Sequence, residues 1–158
     1  MQRRLRAMPD SVTRPVEKSV EVPIVIRFGD TDPYGVVYFV SYFRYCHHGI
    51  EEFLRHVGLP PHEYFRNREE GFGLPVVGAK CDFMRPVKYG DKLRLSVYVI
   101  KLKEKTVTFG FRFYPLGGDQ LVAQGQATIV AIDKSWRSRP LPDRLRDAIG
   151  PYSTEPVT

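Results

Sequence analysis

The chain has 158 residues, 42% of them hydrophobic and 27% charged, which suits one soluble domain with a single core. Its mean hydropathy is −0.30, and no apolar run approaches the roughly 18 residues of a membrane-spanning helix. The formal net charge of +6 favours an anionic partner, but a polyphosphorylated small molecule satisfies that balance as well as a nucleic acid does.

Residues 1–18 are polar and basic, with Arg3, Arg4, Arg6, Arg14 and Lys18 interrupted by Pro9 and Pro15, and read as a disordered tail. No apolar stretch follows them, so they are not a secretory signal and the chain is expected in the cytoplasm. The domain then spans 19–150. From Val20 to Phe28, apolar Val20, Val22, Ile24, Ile26 and Phe28 alternate with Glu21, Pro23, Val25 and Arg27, a half-buried strand in which Pro23 favours a sheet edge or the strand's start. From Ser41 to Val57 the period changes. Tyr42, Phe43, Tyr45, Cys46, Gly49, Ile50, Phe53, Leu54 and Val57 fall on one wide helical arc, Arg44, His48, Glu51 and Arg55 on the other, and Gly58 supplies the stop. So broad an apolar arc asks for a curved sheet around it.

A second helical stretch is predicted over about 62–70, followed by strands over 76–83, 93–99, 106–113 and 121–132, with a closing helix over 143–149. Residues 103–105 and 115–119 are turn-like. The last eight residues, 151–158, read as a flexible end. Cys46 and Cys81 lack the spacing of a zinc knuckle or a disulfide framework and are expected as structural thiols. Strand, long helix, then four strands joined by short turns is an α+β order: a five-stranded antiparallel sheet around one helix.

Chemistry concentrates between the first strand and the helix, in Phe28-Gly29-Asp30-Thr31-Asp32-Pro33-Tyr34-Gly35-Val36-Val37-Tyr38-Phe39. Pro33 holds Asp32 in an extended conformation, Gly35 permits tight backbone passage, and a helix start follows at once. A helix N-terminus presents unpaired N–H groups that can hold the oxygen of a polarised carbonyl. An aspartate beside it can attack that carbonyl or activate water. Asp32 is also an ordinary turn-forming residue before proline, and Asp30 fits a structural role in the same turn. Asp30, Asp32, His47 and His48 do not make a metal site, because the adjacent histidines diverge by about 100° on a helix. Glu51 falls in the middle of the polar arc and Glu52 beyond it, which favours solvated charges.

The stretch FGDTDPYGVVYFVSYFRY resembles the signature F-x-D-x-D-x-x-G-h-V-h (h, apolar) of the hydroxybenzoyl-CoA thioesterase branch of the hotdog superfamily, with its Tol–Pal-associated relatives. The resemblance continues through GLPVVGAKCDFMRPVKYGDKL and covers roughly residues 20–135. It implies a hotdog fold, an acyl-CoA thioester substrate, no cofactor, and a homodimer or tetramer built by joining sheets edge to edge, with the site at the dimer interface. It implies Asp32 as the catalytic carboxylate, the Phe39 backbone N–H as the carbonyl donor, and Tyr38 beside them. Gly35, Tyr42 and His47 are implied on the acyl side, and Lys103, Lys105 and Thr106 on the phosphates of coenzyme A. Two positions depart from the pattern: Glu104 interrupts the basic turn, and His47 stands where relatives carry an acid. Two other readings remain: a hotdog dehydratase or hydratase using His47, and a non-catalytic acyl-CoA-binding module.

Overall fold

The computed structural model describes residues 18–158; the basic tail, apart from Lys18, lies outside the described residues. Five strands form one antiparallel sheet in the order β1-β5-β6-β7-β4: β1 (Val20–Val25), β4 (Val76–Phe83), β5 (Lys92–Leu102), β6 (Thr106–Pro115) and β7 (Ala123–Val130). Helix α1 (Phe39–His56) packs on one face. The four later strands fall over the predicted ranges, and in β5 and β6 apolar residues repeat every second position, as Leu93, Leu95, Val97, Val99 and as Val107, Phe109, Phe111, Phe113.

The register aligns Leu95 with Phe113, Val97 with Phe111 and Val99 with Phe109, and all six side chains are fully buried. Onto this row α1 lowers Tyr42, Cys46, Gly49, Ile50 and Phe53. Gly49 marks the closest approach: a Cβ built there would lie 2.9 Å from methyl groups of both Leu95 and Val97. Further along, Phe53 meets Phe109 and Tyr152 edge-on, with centroids 5.4 and 4.9 Å apart.

Two predicted elements differ. The first strand, expected to reach Phe28, ends at Val25, and Phe28 stands 77% exposed in a short 3-10 turn over Phe28–Asp30. The helix expected over 62–70 is a single turn, α2 (Pro61–Tyr64), followed by a two-stranded ribbon of β2 (Arg66–Asn67) and β3 (Phe72–Gly73). Asn67 is the reason. Its side chain accepts the Glu70 N–H at 2.9 Å, its carbonyl accepts the Gly71 N–H, and Gly71 takes φ +72°, which closes a tight turn and stops the helix.

The closing helix α3 (Asp143–Ile149) forms as read, but the residues after it are held where the sequence suggested fraying. Beyond Val20, β1 leaves the edge of β5 vacant, and residues 153–158 take it over in parallel orientation: Ser153 bridges Val99, the Thr154 N–H donates to Val99 O at 2.8 Å, and the Thr158 N–H donates to Leu102 O. Tyr152 is buried, and Lys18 Nζ sits 4.3 Å over its ring.

Both cysteines are free, Cys46 buried and Cys81 half-buried. Burial pushes the Tyr42 hydroxyl up to about 12, with Cys81 as a second cause. Burial, and then Asp82, pushes the Cys81 thiol up to about 12 as well. Both groups bind protons more tightly folded than unfolded, so their contribution to stability is intact below pH 9 and lost as pH climbs towards 12. The urea midpoint is therefore expected to hold steady up to about pH 9 and to fall above it, with a shallower fall in Tyr42→Phe. Among the described residues, no helix is long and apolar enough to cross a membrane.

Candidate active site

The segment between β1 and α1 doubles back on itself. Thr31 bridges Val37, the Asp32 N–H donates to Val36 O at 2.9 Å, and the Tyr38 N–H donates to Asp30 O at 2.8 Å. A turn closes it at Asp32-Pro33-Tyr34-Gly35, where the Gly35 N–H donates back to Asp32 O. Pro33 occupies the position its ring fits, and Gly35 takes φ +75°, where an L side chain would cost about 1–2 kcal/mol.

Asp32 is half-buried at the tip of this loop. Its Oδ1 accepts the Tyr34 N–H at 2.8 Å and the Val36 N–H at 3.4 Å, while no described group donates to Oδ2. The carboxylate is thus anchored by one oxygen and leaves the other available. At the base of the loop Tyr38 caps α1 with its backbone alone, and neither the Phe39 nor the Val40 N–H has a partner among the described residues. Those amides open on the positive end of an 18-residue helix.

Asp30 does structural work. Its Oδ2 accepts the Arg27 N–H at 3.0 Å, its Oδ1 pairs with Arg44 Nη2 at 3.3 Å, and its carbonyl accepts both the Tyr38 N–H and the Ser41 hydroxyl. Arg44 also donates to Ser41 Oγ at 2.8 Å. This network ties the loop to the first turn of the helix. Asp30→Ala removes a cap and an ion pair together, so a loss of about 1–2 kcal/mol is expected, read as a thermal midpoint lowered by a few degrees.

Where the loop meets the helix, a cleft of about 320 Å³ opens, lined on one side by Val36, Val37, Phe39 and Tyr42. The other wall is Phe83, Met84, Arg85, Pro86 and Val87, the chain leaving β4. That segment crosses the end of the sheet and grips the loop, the Val37 N–H donating to Val87 O at 2.8 Å and Val36 bridging Lys88. Tyr42 is buried between Phe83 and Phe113, with centroids 5.0 and 5.3 Å away, and gives the cleft an aromatic floor.

Asp32, Gly35, Tyr38, Phe39 and Tyr42 therefore share one end of the sheet. The other residues singled out in the sequence lie elsewhere. His47 stands two helical turns, about 12 Å, beyond Phe39. It is half-exposed, paired through Nδ1 with Glu51 at 3.1 Å and stacked on Phe65 at 5.1 Å. Lys103, Lys105 and Thr106 form the turn between β5 and β6 at the opposite end of the sheet. Seven residues of β6 separate Thr106 from Phe113, about 24 Å at strand rise, so within one protomer that turn is remote from the cleft. Residues 83–87 were missed as a wall. Their signal was present, an apolar pair followed by Arg85 and Pro86, but only the topology shows that this connection passes the start of α1. Among the described residues, no cluster of three His, Cys, Asp or Glu side chains suits a metal ion.

Comparison with known proteins finds thioesterases among the chains most like this one in sequence and fold. The family model described as the thioesterase-like superfamily matches residues 26–149. A 1,4-dihydroxy-2-naphthoyl-CoA hydrolase of Synechococcus sp. (strain WH7803) is 39% identical over 126 residues, covering 76% of this chain and 81% of that protein. The crystal structure of a 1,4-dihydroxy-2-naphthoyl-CoA thioesterase from Synechocystis superposes with a TM-score of 0.78 at 26% identity, over 84% of this chain and 96% of that one. A gentisyl-coenzyme A thioesterase structure superposes with a TM-score of 0.72 at 25% identity, over 82% and 99% of the two chains.

Proposed function

The chain belongs to the thioesterase-like superfamily, and from that premise we propose that it hydrolyses an aryl thioester of coenzyme A to the free acid and the thiol. The observation that carries this reading is one loop holding both halves of the chemistry: a carboxylate with a spare oxygen at its tip, and two unpartnered amides at its base, beside an aromatic cleft. The thioester carbonyl oxygen accepts from the Phe39 N–H, which stabilises the charge it gains as the carbon becomes tetrahedral. Asp32 Oδ2 adds to that carbon directly or takes the proton of an attacking water; either way the C–S bond breaks, coenzyme A leaves as thiolate, and one water is consumed overall. A thiolate is a good leaving group, so the scheme needs no strong general acid and calls on no metal or cofactor. Tyr38 and Gly35 shape the entrance, and Tyr42 floors the acyl pocket.

The signature from Phe28 to Tyr38 supports the hydroxybenzoyl-CoA branch, and the aryl substrates of the two related thioesterases support an aryl group here. The working unit is a cytoplasmic hotdog homodimer, in higher form a tetramer, with the sheet curved around α1. The exposed Val76, Val77, Phe83 and Met84 along β4 supply an apolar edge for that pairing. The dehydratase reading gains nothing from His47, whose ring is committed to Glu51 and Phe65.

A thiol-release screen over aryl, short-chain and medium-chain acyl-CoA esters tests the reading. Aryl esters should exceed medium-chain aliphatic ones in kcat/KM by about tenfold or more, the range open to a shaped apolar pocket. Equal rates defeat the aryl assignment, and absence of thiol release from every ester defeats the hydrolase.

A further inference from the structure

Nine residues line the cleft beside α1, and Arg85 is the one that carries a charge. The rest of its wall, Phe83, Met84, Pro86 and Val87, is apolar. When an acyl group fills the cleft, the guanidinium gives up water and needs an acceptor in its place. Among the described residues it has none: the Arg85 side chain makes no ion pair and no hydrogen bond. Asp82, three residues earlier, stands on the opposite face of β4, because Phe83 turns inward onto Tyr42.

The backbone that carries Arg85 is fixed on both sides. The Met84 and Arg85 N–H groups both donate to Val122 O, at 2.9 and 3.1 Å. Pro86 confines Arg85 to extended conformations. The next residue, Val87, is buried and accepts the Val37 N–H at 2.8 Å. The side chain takes part in none of these bonds. It is exposed, on the wall opposite Phe39, whose amide is the donor proposed for the thioester carbonyl. A long side chain with no duty in the fold, mounted rigidly across from the reacting carbonyl, is placed to meet what the acyl group carries beyond its ring. Its planar fork of N–H donors, permanently charged, fits a carboxylate better than a neutral hydroxyl.

We propose that Arg85 selects aryl groups that bear a carboxylate, by pairing with that carboxylate across the cleft from Phe39. This deepens the acyl-CoA hydrolase reading and rests on it for turnover, while the pairing itself can be measured without hydrolysis. The selection works through the substituent, so an ester that lacks it gains nothing from the arginine.

In thiol release by the full chain, 3- or 4-carboxybenzoyl-CoA should exceed benzoyl-CoA in kcat/KM by about tenfold or more, the scale of one charge-assisted contact. Arg85→Gln should bring the two esters within about threefold of each other, and Arg85→Glu should reverse the preference. Both variants should keep the parent's thermal midpoint, because the side chain bonds to nothing in the fold. The matching thioethers, carboxybenzyl-CoA and benzyl-CoA, cannot be hydrolysed, and calorimetry should show the same ratio in their Kd. No preference for the carboxylate in the parent overturns the proposal. So does an equal gain for 4-hydroxybenzoyl-CoA, which makes the contact an ordinary hydrogen bond. Equal slowing of charged and uncharged esters in Arg85→Gln overturns it too, in favour of a general hold on coenzyme A. Tighter binding of the carboxybenzyl thioether, lost in Arg85→Gln, in a chain that releases no thiol from any ester leaves the pairing standing and defeats the hydrolase instead.

Discussion

Asp32→Asn should cut thiol release by about 10²- to 10⁴-fold in kcat, with KM changed little and the fold intact. The substitution keeps the shape of the side chain, and its amide oxygen can still accept the Tyr34 and Val36 N–H groups that Oδ1 accepts now. What disappears is the charge on Oδ2, the oxygen with no donor in the loop. Since 1.36 kcal/mol is tenfold in rate, the expected loss corresponds to about 3–5 kcal/mol of transition-state stabilisation. A variant that keeps its thermal midpoint and more than a tenth of its kcat would remove Asp32 from the chemistry, leaving it the turn-former its contacts already make it.

Gly49→Val should have the largest effect on the fold. Alone, helix propensity favours replacing a mid-helix glycine, by roughly 1 kcal/mol for alanine and less for valine. The contacts decide otherwise. A first carbon at 2.9 Å from Leu95 and Val97 methyls, with the Phe111 ring 3.6 Å away, already crowds a fully buried row. Two further methyls cannot enter without lifting α1 off the sheet. Overpacking of this kind costs about 3 kcal/mol, which in a chain of this size lowers the midpoint by on the order of 10 °C. Because Phe39 and Tyr42 ride on the same helix, hydrolysis should fall with stability. Gly29→Ala, where a Cβ meets nothing within 4 Å, serves as the control and should lie within about 0.5 kcal/mol of the parent. An unchanged midpoint for Gly49→Val would contradict the packing.

Local rules read most of the sheet from sequence, because each long strand buries one face and so writes its period plainly. The strand from Val76 to Phe83 is the exception: it buries no face, and its bounds were legible from the turn residues on either side. Reading failed where a side chain overruled periodicity, as when Asn67 turned a predicted helix into a ribbon. It failed again at the C-terminus, because nothing in PYSTEPVT shows that β1 begins only at Val20, opposite Val97, and leaves backbone groups of β5 beyond that point open. For the candidate site, the loop from Phe28 to Phe39 was legible as a turn with two carboxylates leading into a helix start. Its far wall depended on a connection crossing the sheet, and a single sequence holds no pattern for that. The distance between Lys105 and the cleft was likewise invisible, because spacing along a chain does not say at which end of a strand a turn lies.

The docking of residues 153–158 against β5 bears on how copies of this chain can grow. Together with β1, whose Pro23 lacks a donor, it finishes one margin of the sheet, so a further strand gains little by adding there. The opposite margin, β4, runs for eight residues with no proline. On the proposed pairing through β4, one adhesive border and one sealed border give a valence of one: two copies would satisfy each other by a two-fold axis, and no third could extend the row. Removal of the last six residues would raise that valence to two, and the expected outcome is a ribbon that lengthens with concentration instead of a particle of fixed size.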